Sequence, residues 1–144
     1  HDAFRSCNRA FHLDPALRLD HWCGRCDKCC FIDLVLAPFL PPSDLRAVFD
    51  GNEPLENTDL LAQFLTLIDA SGSPKPFECV GEPQECQVAV ALLREHPDWS
   101  THPFLAKPEV ADINVTDVDT AAVFALNEDE HFLSPRIEAE VRAF

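Results

Sequence analysis

The stretch Trp22-Cys23-Gly24-Arg25-Cys26-Asp27-Lys28-Cys29-Cys30 constrains this chain more than any other part of it. Cys23, Cys26 and Cys29 are separated by two-residue gaps, and Cys7 offers a fourth thiol upstream. Gaps of two let one turn aim successive thiolates at a single centre, and Gly24 lowers the steric cost of that turn. Four thiolates around Zn²⁺ make a closed tetrahedral site, which is structural rather than catalytic. Residues 1–30 show little hydrophobic periodicity, so ligation is expected to organise them. Three other chemistries compete. Disulfides belong to a secreted context, and seven cysteines with an adjacent Cys29-Cys30 pair divide badly into bridges. A [4Fe–4S] cluster can use the same spacing with a remote cysteine, and the thiols can also be free core residues. Cys30 is expected to be a spectator, because neighbouring residues seldom both face one ion. His21 reads as a surface histidine or as a donor to a thiolate.

Charge agrees with that reading. The chain has eleven basic residues against twenty-five acidic ones, a net charge of −14. Residues 1–30 hold five basic residues against four acids, and the other 114 hold six against twenty-one. The centre that four thiolates and one Zn²⁺ would make is doubly negative, and Arg5, Arg9, Arg25 and Lys28 are near enough in sequence to compensate it, which would account for the local basic excess. The acidic remainder argues against nucleic acid as a partner, since phosphate binding needs clustered Lys and Arg.

A length of 144 residues fits one domain, and no long polar linker divides it. The fold class expected is mainly α, a small helical domain with an N-terminal four-cysteine segment. Phe31 to Leu40 is an apolar run, helix or strand, closed by prolines. Ser43 is expected to cap a short helix that ends near Asp50-Gly51. Leu60, Leu61, Phe64, Leu65, Leu67 and Ile68 share one face of a helix beginning at Thr58 or Asp59 and ending by Ser71-Gly72-Ser73-Pro74. Pro83 suits the first position of a helix reaching His96-Pro97. Residues 97–116 read as loops with a weak strand at Ile113-Asn114-Val115. Short helices are expected over Asp117–Leu126 and from Ser134-Pro135 to Arg142. No apolar run reaches the roughly 20 residues of a membrane span, and the first residues do not read as the apolar h-region of a signal peptide. The chain lacks methionine, from which a processed product or a piece of a longer protein is expected.

A second candidate site is Phe77-Glu78-Cys79-Val80-Gly81-Glu82-Pro83-Gln84-Glu85-Cys86. It reads as an apolar approach, a glycine turn and a helix N-terminus. Glu82 and Glu85 there either cap the helix or help hold Mg²⁺, which takes one or two carboxylates plus waters and phosphates.

Three segments together resemble a known family: Ser6-Cys7-Asn8-Arg9-Ala10-Phe11, Trp22 to Phe31 with Leu36-Ala37-Pro38-Phe39-Leu40, and Lys75-Pro76-Phe77-Glu78-Cys79-Val80-Gly81-Glu82. They look like the C-terminal region of the UDP-N-acetylmuramoyl-L-alanyl-L-glutamate epimerases, over about residues 4–95. That resemblance implies a cytoplasmic enzyme of peptidoglycan precursor synthesis. It would invert the terminal glutamate of the UDP-linked dipeptide from L to D, using ATP and Mg²⁺ and releasing AMP and diphosphate. The cysteine pattern is also similar to that of 7-cyano-7-deazaguanine synthase, a PP-loop ATP pyrophosphatase with structural zinc. Both families place an α/β nucleotide-binding region upstream. This chain has only four glycines and no phosphate loop, so ATP chemistry is expected to reside outside it, in an upstream domain of the same protein. Inverting an α-carbon needs a base and an acid on opposite faces, and depressed-pKa thiols serve both. Cys79, with Glu82 or Cys86, is therefore the expected catalytic set, and small buried core cysteines are the simpler alternative. A stand-alone zinc module that binds a protein partner is the reading from a different class.

Overall fold

The computed structural model describes residues 6–75, 80–115, 118–125 and 132–143. Among them there are seven α-helices and no strand. Two 3-10 turns (Asn8–Phe11 and Pro15–Leu17) lead through the cysteine loop into α1, Asp27–Leu36. There follow α2 (Pro42–Val48), α3 (Leu61–Leu67), α4 (Pro83–Glu95), α5 (Pro108–Ala111), α6 (Thr120–Phe124) and α7 (Pro135–Arg142).

The central helix α1 packs against α3 and α4. Leu34 of α1, Phe64 and Leu67 of α3, and Cys86, Val90 and Leu93 of α4 make the dry interior. The apolar run from Phe31 resolves as the body of α1 followed by a 3-10 turn, Ala37–Phe39. Helix α1 starts earlier than periodicity suggests because Cys26 adopts the extended N-cap conformation (φ −85°, ψ 161°). Ser43 is not a cap: Pro41 holds that position and Pro42 opens α2, its fixed φ suiting the first helical residue. The buried face expected near residue 60 is present, with Leu60, Phe64, Leu67 and Ile68 all buried. Asn57 starts this element by accepting the Asp59 N–H at 3.1 Å. The helix stops sooner than the Ser-Gly-Ser-Pro signal, where Asp69 takes φ +63°.

Long-range polar ties hold the irregular parts to the helices. Gln87 on α4 donates to the Ile68 carbonyl at 2.9 Å, satisfying the end of α3. Trp99, fully buried, donates its indole N–H to Leu40 O at 3.0 Å. Arg94 donates to the carbonyls of Val110, Ala111 and Ile113 at 2.8, 3.3 and 3.1 Å. These contacts replace the weak strand expected at 113–115, where the backbone turns out of α5 instead. Pro108 opens that unexpected turn of helix.

Candidate metal centre

Cys7, Cys23, Cys26 and Cys29 converge, with all four sulfurs within 4.8 Å of one another. Cys7 Sγ lies 3.9 Å from Cys26 Sγ, Cys23 Sγ 3.6 Å from Cys29 Sγ, and Cys26 Sγ 3.5 Å from Cys29 Sγ. A tetrahedral ion with metal–sulfur bonds of about 2.3 Å needs sulfurs about 3.8 Å apart, so the donor set fits a single ion. A disulfide needs about 2.05 Å. The six cysteines described are all free thiols.

The local fold explains the convergence. Cys7 precedes the first 3-10 turn, and its sulfur accepts the Cys23 backbone N–H at 3.4 Å. Gly24 then turns the chain with φ +62°. Cys26 caps α1 and Cys29 sits in its first turn, where the helix dipole favours negative sulfur. From α3, Gln63 donates to Arg25 O at 3.0 Å and to Asp27 Oδ1 at 3.2 Å, pinning the loop from outside. Cys7 and Cys29 are buried while Cys23 and Cys26 are half-buried. In the metal-free thiols, hydrogen bonds from Cys26 and then Cys29 pull Cys23 far down the pKa scale. The Cys23 partnership pushes Cys26 up to about 11, and Cys23 and Cys26 together push Cys29 further up. A cation would deprotonate these thiols on binding.

Cys30 faces away into the core, fully buried, with burial and then Asp27 raising its thiol. It lies outside the four-sulfur group, as expected of a spectator. Lys28 lies over the Phe31 ring at 5.8 Å. His21 is bound to Asp20 at 2.9 Å, away from any thiolate contact among the described residues.

The second candidate stretch separates into parts. Cys79 lies outside the described residues. Glu82 caps α4 and is exposed, paired with Lys75 at 3.0 Å. Lys75 also donates to Gly81 O at 3.0 Å. Glu85 turns back to accept the Glu82 N–H at 2.6 Å. A Cβ at Gly81 would run into Glu85 and the Phe31 ring, so glycine is required where this turn crosses α1. Cys86 is fully buried and its thiol is pushed up to about 12, by burial first and by Glu85 second. It packs in the core between α4 and α1 rather than presenting a nucleophile.

Two buried carboxyls escape a reading of the sequence. Asp33 of α1 is wholly enclosed, and one of its oxygens accepts the Leu55 N–H at 2.8 Å. Glu53 is 2% exposed, and neither of its oxygens has a hydrogen-bond partner among the described residues. Burial, then Glu53, raises Asp33, and burial, then Glu56, raises Glu53 to about 7. The one signal is for Asp33, an acid inside the apolar run from Phe31.

The profile of the MurL C-terminal domain matches residues 3–123. The chain belongs to that family. Three relatives carry the name UDP-N-acetyl-alpha-D-muramoyl-L-alanyl-L-glutamate epimerase. The Xanthomonas oryzae relative is 35% identical over 144 residues, covering 97% of this chain and 31% of its own length. The Salinispora tropica relative is 42% identical over 115 residues, 76% of this chain and 24% of its own. The Micromonospora relative is 35% identical over 143 residues, 96% of this chain and 30% of its own. The chain thus spans 24–31% of the relatives' lengths. No solved structure matches it. The family match extends through the cysteine centre and α1–α4 and leaves α7 beyond its end.

Proposed function

We propose that this chain is the zinc-bearing C-terminal domain of an epimerase that converts the terminal L-glutamate of UDP-N-acetylmuramoyl-L-alanyl-L-glutamate to D-glutamate. The observation that carries the reading is the family match across residues 3–123, together with three relatives that share one epimerase name. ATP and Mg²⁺ are assigned to the part of such an enzyme that precedes this domain, since the chain has four glycines and no phosphate-binding loop. The 144 residues act as one helical domain, in the cytoplasm where nucleotide-linked precursors are made. No helix among the described residues is long and apolar enough to cross a membrane.

Zn²⁺ is the proposed ion at Cys7, Cys23, Cys26 and Cys29. Sulfurs this close suit one tetrahedral centre, whereas a four-iron cluster spreads its thiolates over different irons. Zinc held by four thiolates supplies folding free energy and no open coordination position. The residues of this chain do the rest: Cys26 and Cys29 anchor α1, and α1 carries the surface on which Gly81 and the start of α4 are packed. That packing would hold Gly81 and Glu82 in place for proton transfer at the substrate α-carbon. The burial of Cys86 supports a packing role for it, leaving Cys79 with Glu82 as the proposed pair. Activation of the α-carboxylate as an acyl adenylate would acidify the α-proton and accounts for the use of ATP.

The test is a configuration assay on the full-length protein, with the UDP-linked dipeptide, ATP and Mg²⁺. ATP-dependent appearance of D-glutamate after hydrolysis supports the reading, and unchanged L-glutamate with a folded, metal-loaded protein refutes it. Cys79→Ala in the active enzyme then tests the catalytic assignment, which normal turnover would remove.

A further inference from the structure

Phe11, Leu13 and Leu17 are 69%, 94% and 58% exposed, and every residue from Phe11 to Arg18 lies on the surface. Large apolar side chains scattered singly over a surface are ordinary, but three within one stretch of seven residues are not. The stretch that carries them is ordered. Leu19 donates its N–H to Arg9 O at 3.1 Å and closes the 9–19 loop at its neck. Inside the loop, Ala16 N–H donates to Asp14 Oδ1 at 2.9 Å and Arg18 Nε to His12 O at 2.7 Å. Both flanks are fixed as well. Cys7 belongs to the four-sulfur group, and Trp22 is buried with its ring edge to face against Phe49 at 5.8 Å. Holding exposed residues in one shape costs backbone entropy that burial of their side chains would offset, and no such burial is found among the described residues.

The relatives say where a cover would come from. The matching family model is that of a C-terminal domain, and more than two-thirds of each relative lies outside the matched stretch. In proteins built this way the polypeptide enters the domain ahead of Cys7, beside the 9–19 loop. A domain tethered at that point meets the loop at an effective concentration that a free partner does not reach. An anionic lipid surface would repel a chain of net charge −14. Arg9 and Arg18 are exposed in the loop, so the face that fits it is apolar at its centre and carries carboxylates at its edge.

We infer that the 9–19 loop is the docking surface for the domain that precedes this one in the full-length protein, with Leu13 and Leu17 set into an apolar face of that domain. The four-cysteine group then has a second consequence, since it fixes the shape of the loop through Cys7. The inference rests on the reading above, in which this chain is the C-terminal domain of a longer epimerase.

Photo-crosslinking of the full-length protein with Leu13→p-benzoylphenylalanine provides the test. Leu13 is the most exposed of the three apolar residues, so the replacement should leave folding unchanged, as circular dichroism checks. Crosslinks within one molecule, to peptides that precede this domain, are expected. Crosslinks between two molecules, crosslinks confined to residues 1–144, or none at all in a folded protein overturn the inference. A second variant carries Leu13→Glu and Leu17→Glu together. Two carboxylates in place of two buried leucines should speed protease cleavage between the two domains at least about tenfold, and an unchanged rate also overturns the inference. The epimerase assay on the unmodified full-length protein separates the two claims. Crosslinks to the preceding domain in a protein without epimerase activity support the docking surface and refute the epimerase reading. An active epimerase that gives no such crosslinks refutes the docking surface alone.

Discussion

Gly24 lies directly beneath the backbone carbonyl of Asn52, so close that a methyl group on Gly24 would overlap that oxygen. The contact joins the turn between Cys23 and Cys26 to the loop that follows α2. Gly24 also has φ +62°, a conformation that costs a side-chain-bearing residue free energy even in open space. Two independent constraints therefore fall on one residue inside the proposed metal loop.

Gly24→Ala should consequently lower stability by about 2 kcal/mol or more, combining left-handed strain with the clash. Thermal unfolding should show a midpoint lower by at least about 5 °C for a chain of this size. Gly51 has φ +82° but open space around it, so Gly51→Ala should cost about 1 kcal/mol. Equal effects at the two positions would mean that the Asn52 contact contributes nothing.

Cysteine substitutions should divide sharply. Cys29→Ser should abolish stoichiometric metal and drop the unfolding midpoint by more than about 10 °C, since structural zinc contributes on the order of 10 kcal/mol in small domains. Cys30→Ser, one residue away, should retain the metal and cost only about 1–2 kcal/mol for a hydroxyl placed in the core. Elemental analysis of the two purified variants decides the matter.

Stability should fall as pH rises toward neutrality, and Glu53 should account for part of the fall. Its carboxyl is held up to about 7 in the fold, by burial and then by Glu56, against about 4.3 in an unfolded chain. Between those values the folded protein keeps a proton that the unfolded chain has released, so the stabilisation is present at the acid end and is lost as pH rises through 7. Glu53→Gln should flatten this slope and raise the unfolding free energy at pH 8 by on the order of 2 kcal/mol. Chemical denaturation of both proteins from pH 5.5 to 8.5 measures the difference.

Arg94 should be the residue that holds the 108–115 segment to α4. Arg94→Met keeps the aliphatic stem but abandons three carbonyls. A loss of about 2 kcal/mol is expected, together with faster amide exchange at Val110–Ile113 than in α1.

Much of this architecture is legible in the order of the amino acids. The cysteine spacing specifies that Cys23, Cys26 and Cys29 meet, because two-residue gaps leave little freedom in where the sulfurs point, and Cys7 is the one further thiol upstream of them. Pro83 marks the start of α4, and the 60–68 periodicity marks the buried face of α3, since both signals are local. What escapes is set by distant partners. Pro42 rather than Ser43 opens α2, and Ile113-Asn114-Val115 is drawn to Arg94 rather than into a ladder. Asp33 is out of place in an apolar run unless Leu55, twenty-two residues on, supplies its donor. Cys86 reads as a candidate thiolate partner because spacing alone does not show which thiols are enclosed.

One tetrahedral ion held by Cys7, Cys23, Cys26 and Cys29 is proposed to organise this domain. X-ray absorption at the zinc edge of the purified protein tests it most directly. One zinc per chain, with four sulfur neighbours at about 2.3 Å and no nitrogen or oxygen in the shell, is expected. A protein that is folded with no bound metal, or that carries iron and inorganic sulfide in place of zinc, would contradict it.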